Sequence, residues 1–271
     1  MRYLHLDKNF TPYENSIRFE SFVFNGGEPH IKIQEQVSEP VMITHRINSF
    51  NDLGLLLIAT DALKRMGVKQ IELFIPYFPG ARQDRLMISG EPLTVKVYAE
   101  LINAQGYEKI QVFDPHSEVT TALLDDVEVI ENYDLVKQSL TKLSGDIVLI
   151  SPDGGALKKI YKVSKYLGGI PVMECSKKRN VTTGQLSGFT VYEEDLTGKH
   201  GVIVDDICDG GGTFLGLATE LKKKGIEQLS LIVSHGIFSK GFEELNQHFD
   251  QVFTSNSIRD LEEEKVVQIK L

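Results

Sequence analysis

Residues 201–214 read GVIVDDICDGGGTF, and this stretch decides the fold. Gly201–Val204 is apolar without alternation, the pattern of a parallel strand covered on both faces. Asp205 and Asp206 are expected at its end, followed by a glycine-rich loop, Asp209–Thr213. A helix over Phe214–Lys224 then carries Phe214, Leu217, Ala218 and Leu221 on one face. Lys222–Lys224 and Gly225 close it with cations and a C′ glycine. Gly210–Thr213 therefore fall where the open N–H groups of a helix N-terminus form an anion site. Adjacent carboxylates just before such a cradle can accept from vicinal sugar hydroxyls, directly or through Mg²⁺. Together these features suit a ribose 5-phosphate moiety, against the plainer reading of an ordinary strand–turn–helix.

Working outward, the 271 residues suffice for one large or two small domains, and 41% apolar with 25% charged residues is ordinary for a soluble globular protein. A net charge of −9 argues against a nucleic-acid backbone as partner, so anionic substrates need local cations or metal. No signal peptide or membrane-spanning run is visible, and the expectation is a cytoplasmic protein. Cys175 and Cys208 read as packing residues.

The first fifty residues look β-rich. Ser16–Phe24 and His30–Gln36 alternate around Asn25-Gly26-Gly27, a hairpin signal. A helix follows over Asp52–Met66 and a strand over Gln70–Tyr77. That strand runs into PYFPGARQDRL, Pro76–Leu86. Arg82 and Arg85 can clamp phosphates, and Gln83 can meet a base or sugar; a solvated basic turn paired with Asp84 is the bland alternative. Helix Glu91–Gln105 and strand Lys109–Phe113 lead to Asp114-Pro115-His116, where an acid and an imidazole can meet Mg²⁺ or a phosphate.

The pattern then begins again, with helix Leu135–Leu143, strand Asp146–Ile150, the turn at Asp153, helix Ala156–Leu167 and strand Pro171–Glu174. Ser176–Gly188, with Lys177 and Arg179, reads as a mobile flap or hairpin carrying cations. Leu229–Ser234 is a strand, His235-Gly236 a turn, and Gly241–His248 a helix. Two successive α/β segments predict two similar lobes, 1–134 and 135–271, with doubly wound, mostly parallel sheets and a cleft between them.

Seven strings, PYFPGARQDR, GEPLTVK, FDPH, SPDGGALKK, SKKR, VDDICDGGGT and SHGIFS, stand in the order of the ribose-phosphate diphosphokinase family, which the chain resembles over nearly its whole length. The resemblance implies transfer of the β,γ-diphosphoryl group of Mg-ATP to the anomeric hydroxyl of ribose 5-phosphate. It also implies an N-terminal ATP-binding lobe, a C-terminal ribose-phosphate lobe and a homo-oligomer. By position, Phe24, Glu28, Arg82, Gln83, Arg85 and His116 would hold ATP. Asp153, Asp205, Asp206, Asp209, Gly210, Gly211, Gly212 and Thr213 would hold the ribose phosphate. His116, Asp153, Asp205 and Asp206 would attend Mg²⁺, and Lys177, Arg179 and His116 would act on the group in flight.

Three departures stand out. The family begins with an extra N-terminal helix-forming stretch that has no counterpart here. Gly26 stands where an Asp is usual in the adenine hairpin, and Gly210 where a Thr is common in the phosphate loop. The glycine at 210 is expected to free room for an acceptor carrying more than a monophosphate, such as ADP-ribose, whose product would serve NAD salvage from nicotinamide. A phosphoribosyltransferase and a non-catalytic regulatory homologue are the competing classes. The first leaves Arg82, Arg85 and His116 without a use; the second sits poorly with the intact acids and Lys177.

Overall fold

The structure is a computed structural model describing residues 1–38, 40–179 and 186–271, without the side chains of 178, 179, 186 and 187. The chain folds into two compact units. One holds Met1–Glu131 with Ser257–Arg259 and Leu271; the other holds Asn132–Asn256 with Asp260–Lys270.

The first unit is built on a five-stranded parallel sheet in the order β1 (Arg2–His5), β4 (Val41–Thr44), β5 (Ile71–Ile75), β6 (Lys109–Phe113), β7 (Val127–Ile130). Each strand is added on the same side of its predecessor. β1 was not expected, because four residues containing an arginine and a histidine carry little strand signal. β2 (Phe19–Val23) and β3 (Pro29–Ile33) form the expected hairpin as a separate antiparallel pair. It lies on α1 (Phe50–Arg65), where Gly54 lets the Pro29 ring approach: a Cβ there would sit 3.3 Å from Pro29 Cγ.

α1 begins with a reciprocal cap. Asp52 N–H donates to Ser49 Oγ at 3.2 Å, and Asp52 Oδ2 accepts from Asn48 N–H at 3.0 Å, satisfying donors that a helix start leaves open. Its inner face, Leu53, Leu56, Ala59 and Leu63, is buried in the core with α2 (Thr94–Asn103) residues Val95, Ala99 and Ile102. Each large aliphatic side chain so buried contributes about 1.5–3 kcal/mol. α3 (Glu118–Leu123) is the unit's third helix.

The second unit has a seven-stranded sheet. From one edge its order is β10 (Leu186–Val191), β9 (Val172–Arg179), β8 (Asp146–Ser151), β11 (Lys199–Cys208), β12 (Gln228–Gly236), β13 (Gln251–Ser255), β14 (Val266–Ile269). All neighbours are parallel except the β9–β10 hairpin. The chain winds outward from β8 on one side and outward from β11 on the other, so the order reverses between them. A crevice at the carboxyl ends of strands belongs at such a reversal. α4 (Tyr133–Leu140), α5 (Leu157–Tyr166), α6 (Gly212–Lys223) and α7 (Glu243–His248) complete the unit.

Three strands run further than their apolar cores predict. β11 continues through Asp205 and Asp206 to Cys208, because β12 keeps pairing with it: Asp205 faces Val233 and Cys208 faces Gly236. His235-Gly236 is consequently strand and not turn. β9 carries the cationic run as far as Arg179 because β10 pairs back on it, Phe189 opposite Lys177. The expected flap is thus a hairpin at its base, and residues 180–185 lie outside the described residues. No described helix is long and apolar enough to cross a membrane.

Candidate active site

In the second unit the reversal sets the positions. β8 ends at Ser151, whereas β11 runs on past its last β8 partner, Ile203 opposite Ile150. Asp205 and Asp206 therefore stand on a strand with one neighbour gone, and Asp153 follows the end of β8. Burial first, then the negative charges of Asp206 and Asp153, push the Asp205 carboxyl well above the usual carboxylate range. Asp153 is partly engaged at home: its Oδ1 accepts from the N–H groups of Gly155 (2.9 Å) and Ala156 (3.3 Å) before α5. Among the described residues no three His, Cys, Asp or Glu side chains gather as a ready-made cage. An all-oxygen pair strained by like charge nevertheless suits Mg²⁺, which takes one or two carboxylates and completes its shell with water and substrate phosphate. Asp205 and Asp206, with Asp153 near, fit that ion.

After Cys208 the chain enters the loop. Gly211 takes a left-handed conformation (φ 77°) as the N-cap of α6 and, being glycine, brings no capping side chain of its own. A helix start of this kind presents N–H groups that can meet an external acceptor. The other end is fully closed. Gly225 N–H donates to Lys222 O and Ile226 N–H to Leu221 O, a glycine-terminated stop with Lys222 and Lys223 in the last turn. Lys177, from β9, donates from Nζ to Thr213 Oγ1 at 3.0 Å, so a hairpin cation rests on the loop's last residue. Arg179 ends the same strand, and its side chain lies outside the described residues.

The space expected beside Gly210 is flanked by the exposed side chain of Lys240. A Cβ on Gly210 would lie 3.3 Å from both Cδ and Cε of Lys240, a residue the sequence does not single out although it directly follows SHGIFS. A Cβ on Gly212, by contrast, would meet nothing within 4 Å. Cys208 and Cys175 are buried, which pushes each thiol up to about 12, so neither is a nucleophile at neutral pH.

In the first unit, β5 and β6 are neighbours, Ile75 opposite Val112, so the segments leaving their carboxyl ends emerge side by side. These are the two expected to meet ATP. Asp84 is buried under the ARQDR loop, and Arg85 donates to it from Nε at 2.8 Å while remaining 69% exposed. Arg85 holds the Asp84 carboxyl below its ordinary range, and the nearby His116 charge adds to this. His116 and the ARQDR loop are thus together. The turn between them and β6 is tight: Asp114 is buried with φ 43°, left-handed for a non-glycine residue. Arg82 and Gln83 are exposed, and Gln83 Oε1 accepts from the Thr94 hydroxyl at the start of α2.

At the hairpin, Phe24 N–H donates to Glu28 O at 2.9 Å and Gly27 N–H to Phe24 O at 2.8 Å. The exposed rings of Phe22, Phe24 and His30 cluster at 4.8–5.5 Å between centroids. A Cβ on Gly26 would lie 2.5 Å from Glu28 Oε2, so a side chain at 26 requires the exposed Glu28 carboxylate to swing aside.

Comparisons agree with this layout. Residues 15–106 match the N-terminal domain of ribose phosphate pyrophosphokinase, and residues 126–267 match the phosphoribosyl transferase domain. The chain is 32% identical to the ribose-phosphate pyrophosphokinase of Mycoplasmopsis pulmonis over 248 residues, 89% of this chain and 76% of that one. It is 29% identical to that of Pyrococcus abyssi over 266 residues, 94% and 89% of the two chains. The crystal structure of phosphoribosylpyrophosphate synthetase from Mycobacterium smegmatis shares the fold, with a TM-score of 0.80 at 24% identity, covering 94% of this chain and 86% of that one. With two domain matches in this order and relatives alike over most of both chains, the chain belongs to the ribose-phosphate pyrophosphokinase family of diphosphotransferase enzymes.

Proposed function

We propose that the protein transfers the β,γ-diphosphoryl group of ATP, with Mg²⁺, to the anomeric hydroxyl of ribose 5-phosphate, giving phosphoribosyl diphosphate and AMP. The carrying observation is the Lys177–Thr213 contact, which rests a hairpin cation on the first turn of α6, behind its glycine N-cap, in the unit that holds the acid pair. The anomeric oxygen forms a bond to Pβ and gives up its proton. The bond from Pβ to the α,β-bridging oxygen breaks, and AMP leaves with that electron pair. Bound Mg²⁺ would offset charge on the phosphoryl oxygens.

This chain's own part is positioning and charge compensation, which dominate phosphoryl transfer. The N–H groups of Gly212 and Thr213, with the Thr213 hydroxyl, would hold the 5-phosphate, while Asp209–Gly211 set the loop. Asp205 and Asp206 would orient the ribose hydroxyls and hold Mg²⁺, with Asp153 supporting them. Lys177, with Arg179, would meet charge on the moving group. Residues 1–134 would form the ATP-binding lobe, with Arg82, Gln83 and Arg85 on the phosphates beside His116 and the Phe24–Glu28 hairpin on the adenine. Residues 135–271 would form the ribose-phosphate lobe.

A second acceptor, ADP-ribose, is supported by the open space at Gly212, where a substituent on the 5-phosphate could leave the loop. The product would be a diphosphorylated ADP-ribose, usable for NAD salvage. Incubation with Mg-ATP and each acceptor, following AMP, tests both. AMP released with ribose 5-phosphate supports the first reading, and AMP only with ADP-ribose supports the second. AMP with neither overturns both.

A further inference from the structure

Building on that reading, we propose that Lys240 is an acceptor-selecting residue: its ammonium engages the phosphoryl end of the acceptor from the Gly210 side of the loop, while Lys177 stands at the Thr213 side. The ligand chemistry is a phosphoryl group on the 5-oxygen of a ribose whose anomeric hydroxyl is free.

The backbone that presents Lys240 is tied to the phosphate loop. The N–H groups of Ile237 and Phe238 both donate to Cys208 O, at 2.9 and 3.1 Å, and Ser239 N–H donates to Asp209 O at 3.1 Å. Phe238 takes a left-handed conformation (φ 47°) and its ring is buried against Gly236, where any Cβ would collide with it. A bend with that strain is kept only when its surroundings enforce it. The stem of Lys240 then runs along Gly210, with Cγ, Cδ and Cε at 3.5, 3.3 and 3.3 Å from the position of a Cβ there. Lysine commonly lays its methylenes on a surface and sends its ammonium to water.

One feature separates Lys240 from an ordinary surface lysine: the residue under its stem is the loop glycine at 210, so positions 210 and 240 lie in contact. A side chain at 210 and the lysine stem compete for one volume. A threonine at 210 would bring its own hydroxyl to the loop; glycine with Lys240 replaces that neutral donor by a cation of longer reach. Charged donors give the stronger bond to phosphate.

The test is steady-state kinetics of Lys240→Met, which keeps the stem and removes the charge. KM for the acceptor is expected to rise about tenfold, the worth of one charge-assisted hydrogen bond, with KM for ATP unchanged. The ribose 5-phosphate and ADP-ribose arms locate the contact. Equal losses assign it to the phosphate in the loop, and a larger loss with ADP-ribose assigns it to the outer phosphate; both support the proposal. Gly210→Thr should raise acceptor KM by displacing the stem, and Gly210→Thr with Lys240→Ala should recover part of it. An acceptor KM unchanged in Lys240→Met while the wild type turns over normally overturns this inference alone. A wild type that releases no AMP with either acceptor is instead the failure of the functional reading.

Discussion

The two sheets of this protein place their candidate functional residues by different means. In the second unit the strand order reverses between β8 and β11, and the acid pair rides on a strand that outruns its neighbour. In the first unit the order β1-β4-β5-β6-β7 never reverses, and the residues proposed for ATP sit on segments beyond β5 and β6. One site is carried by the scaffold itself. The other is carried by a loop hung on a buried acid, Asp84, and by the turn at Asp114. The contrast suggests that changes in the second unit should move stability and turnover together, and that changes in the first unit's loop should move ATP binding with little effect on stability.

Lys177→Ala should have the largest effect. Removing a preorganised cation from a transferring phosphoryl group costs about 10²–10³ in kcat. The side chain is half-buried on Thr213, so a small loss of melting temperature should accompany the kinetic loss. Turnover within a factor of about two of wild type would remove the hairpin from the mechanism and break the contrast at its strongest point.

Asp205→Asn sharpens the contrast in the opposite direction, trading activity for stability. An acid whose folded-state pKa is raised stabilises the fold most below its unfolded pKa, and that stability is lost as pH rises through the folded value. The asparagine cannot ionise, so the metal-free variant should melt higher than wild type at neutral pH, by about 3 °C. The gain should vanish in acid, and Mg²⁺ should narrow it by stabilising only the wild type. A variant melting lower than wild type at neutral pH would mean that the carboxylate is not strained.

Gly201→Ala tests the sheet beneath the acids. A Cβ there would lie 2.7 Å from Ile150 Cδ1 and 3.0 Å from Leu229 Cδ1, and would also collide with Ile226. Overpacking of this kind costs about 1–3 kcal/mol. Because β11 carries Asp205 and Asp206, turnover should fall as well. A loss of stability with wild-type kinetics would show that the strand can shift without moving its acids.

The glycine-rich loop and its helix were legible because they coincide in sequence: glycines, a hydroxyl and a helical face follow one another from Gly210 to Leu221. Strand ends were not. Asp205, His235 and Lys177 look like the ends of strands, yet hydrogen bonding to β12 and β10 carries each strand on, and pairing of distant segments is not written locally. The Lys177–Thr213 contact spans thirty-six positions, and the Lys240–Gly210 contact thirty. Neither leaves a local pattern. The glycine at 210 suggested free room; the side chain that borders it comes from a different loop. In the first unit the plain reading of the basic turn holds, since Arg85 pairs with Asp84 in the loop beside His116.

Arg85→Ala should have the smallest effect on the fold, and it tests the first unit's half of the contrast. The guanidinium is 69% exposed, and an ion pair with one partner in water contributes no more than about 1 kcal/mol. At neutral pH the melting temperature should therefore barely move, while KM for ATP rises several-fold. The acid limb behaves differently. Arg85 holds the Asp84 carboxyl below its ordinary range, so the pair's stability is present above the unfolded pKa and is lost only as pH falls through the depressed one. Without Arg85, Asp84 should protonate nearer the usual carboxylate range, and the acid-side loss should begin at higher pH. His116 also lowers the Asp84 value, so Arg85→Ala with His116→Ala should push that onset higher still. If Arg85→Ala instead lowers the melting temperature at neutral pH as far as Gly201→Ala does, the loop is part of the scaffold, and the two units hold their sites in the same way.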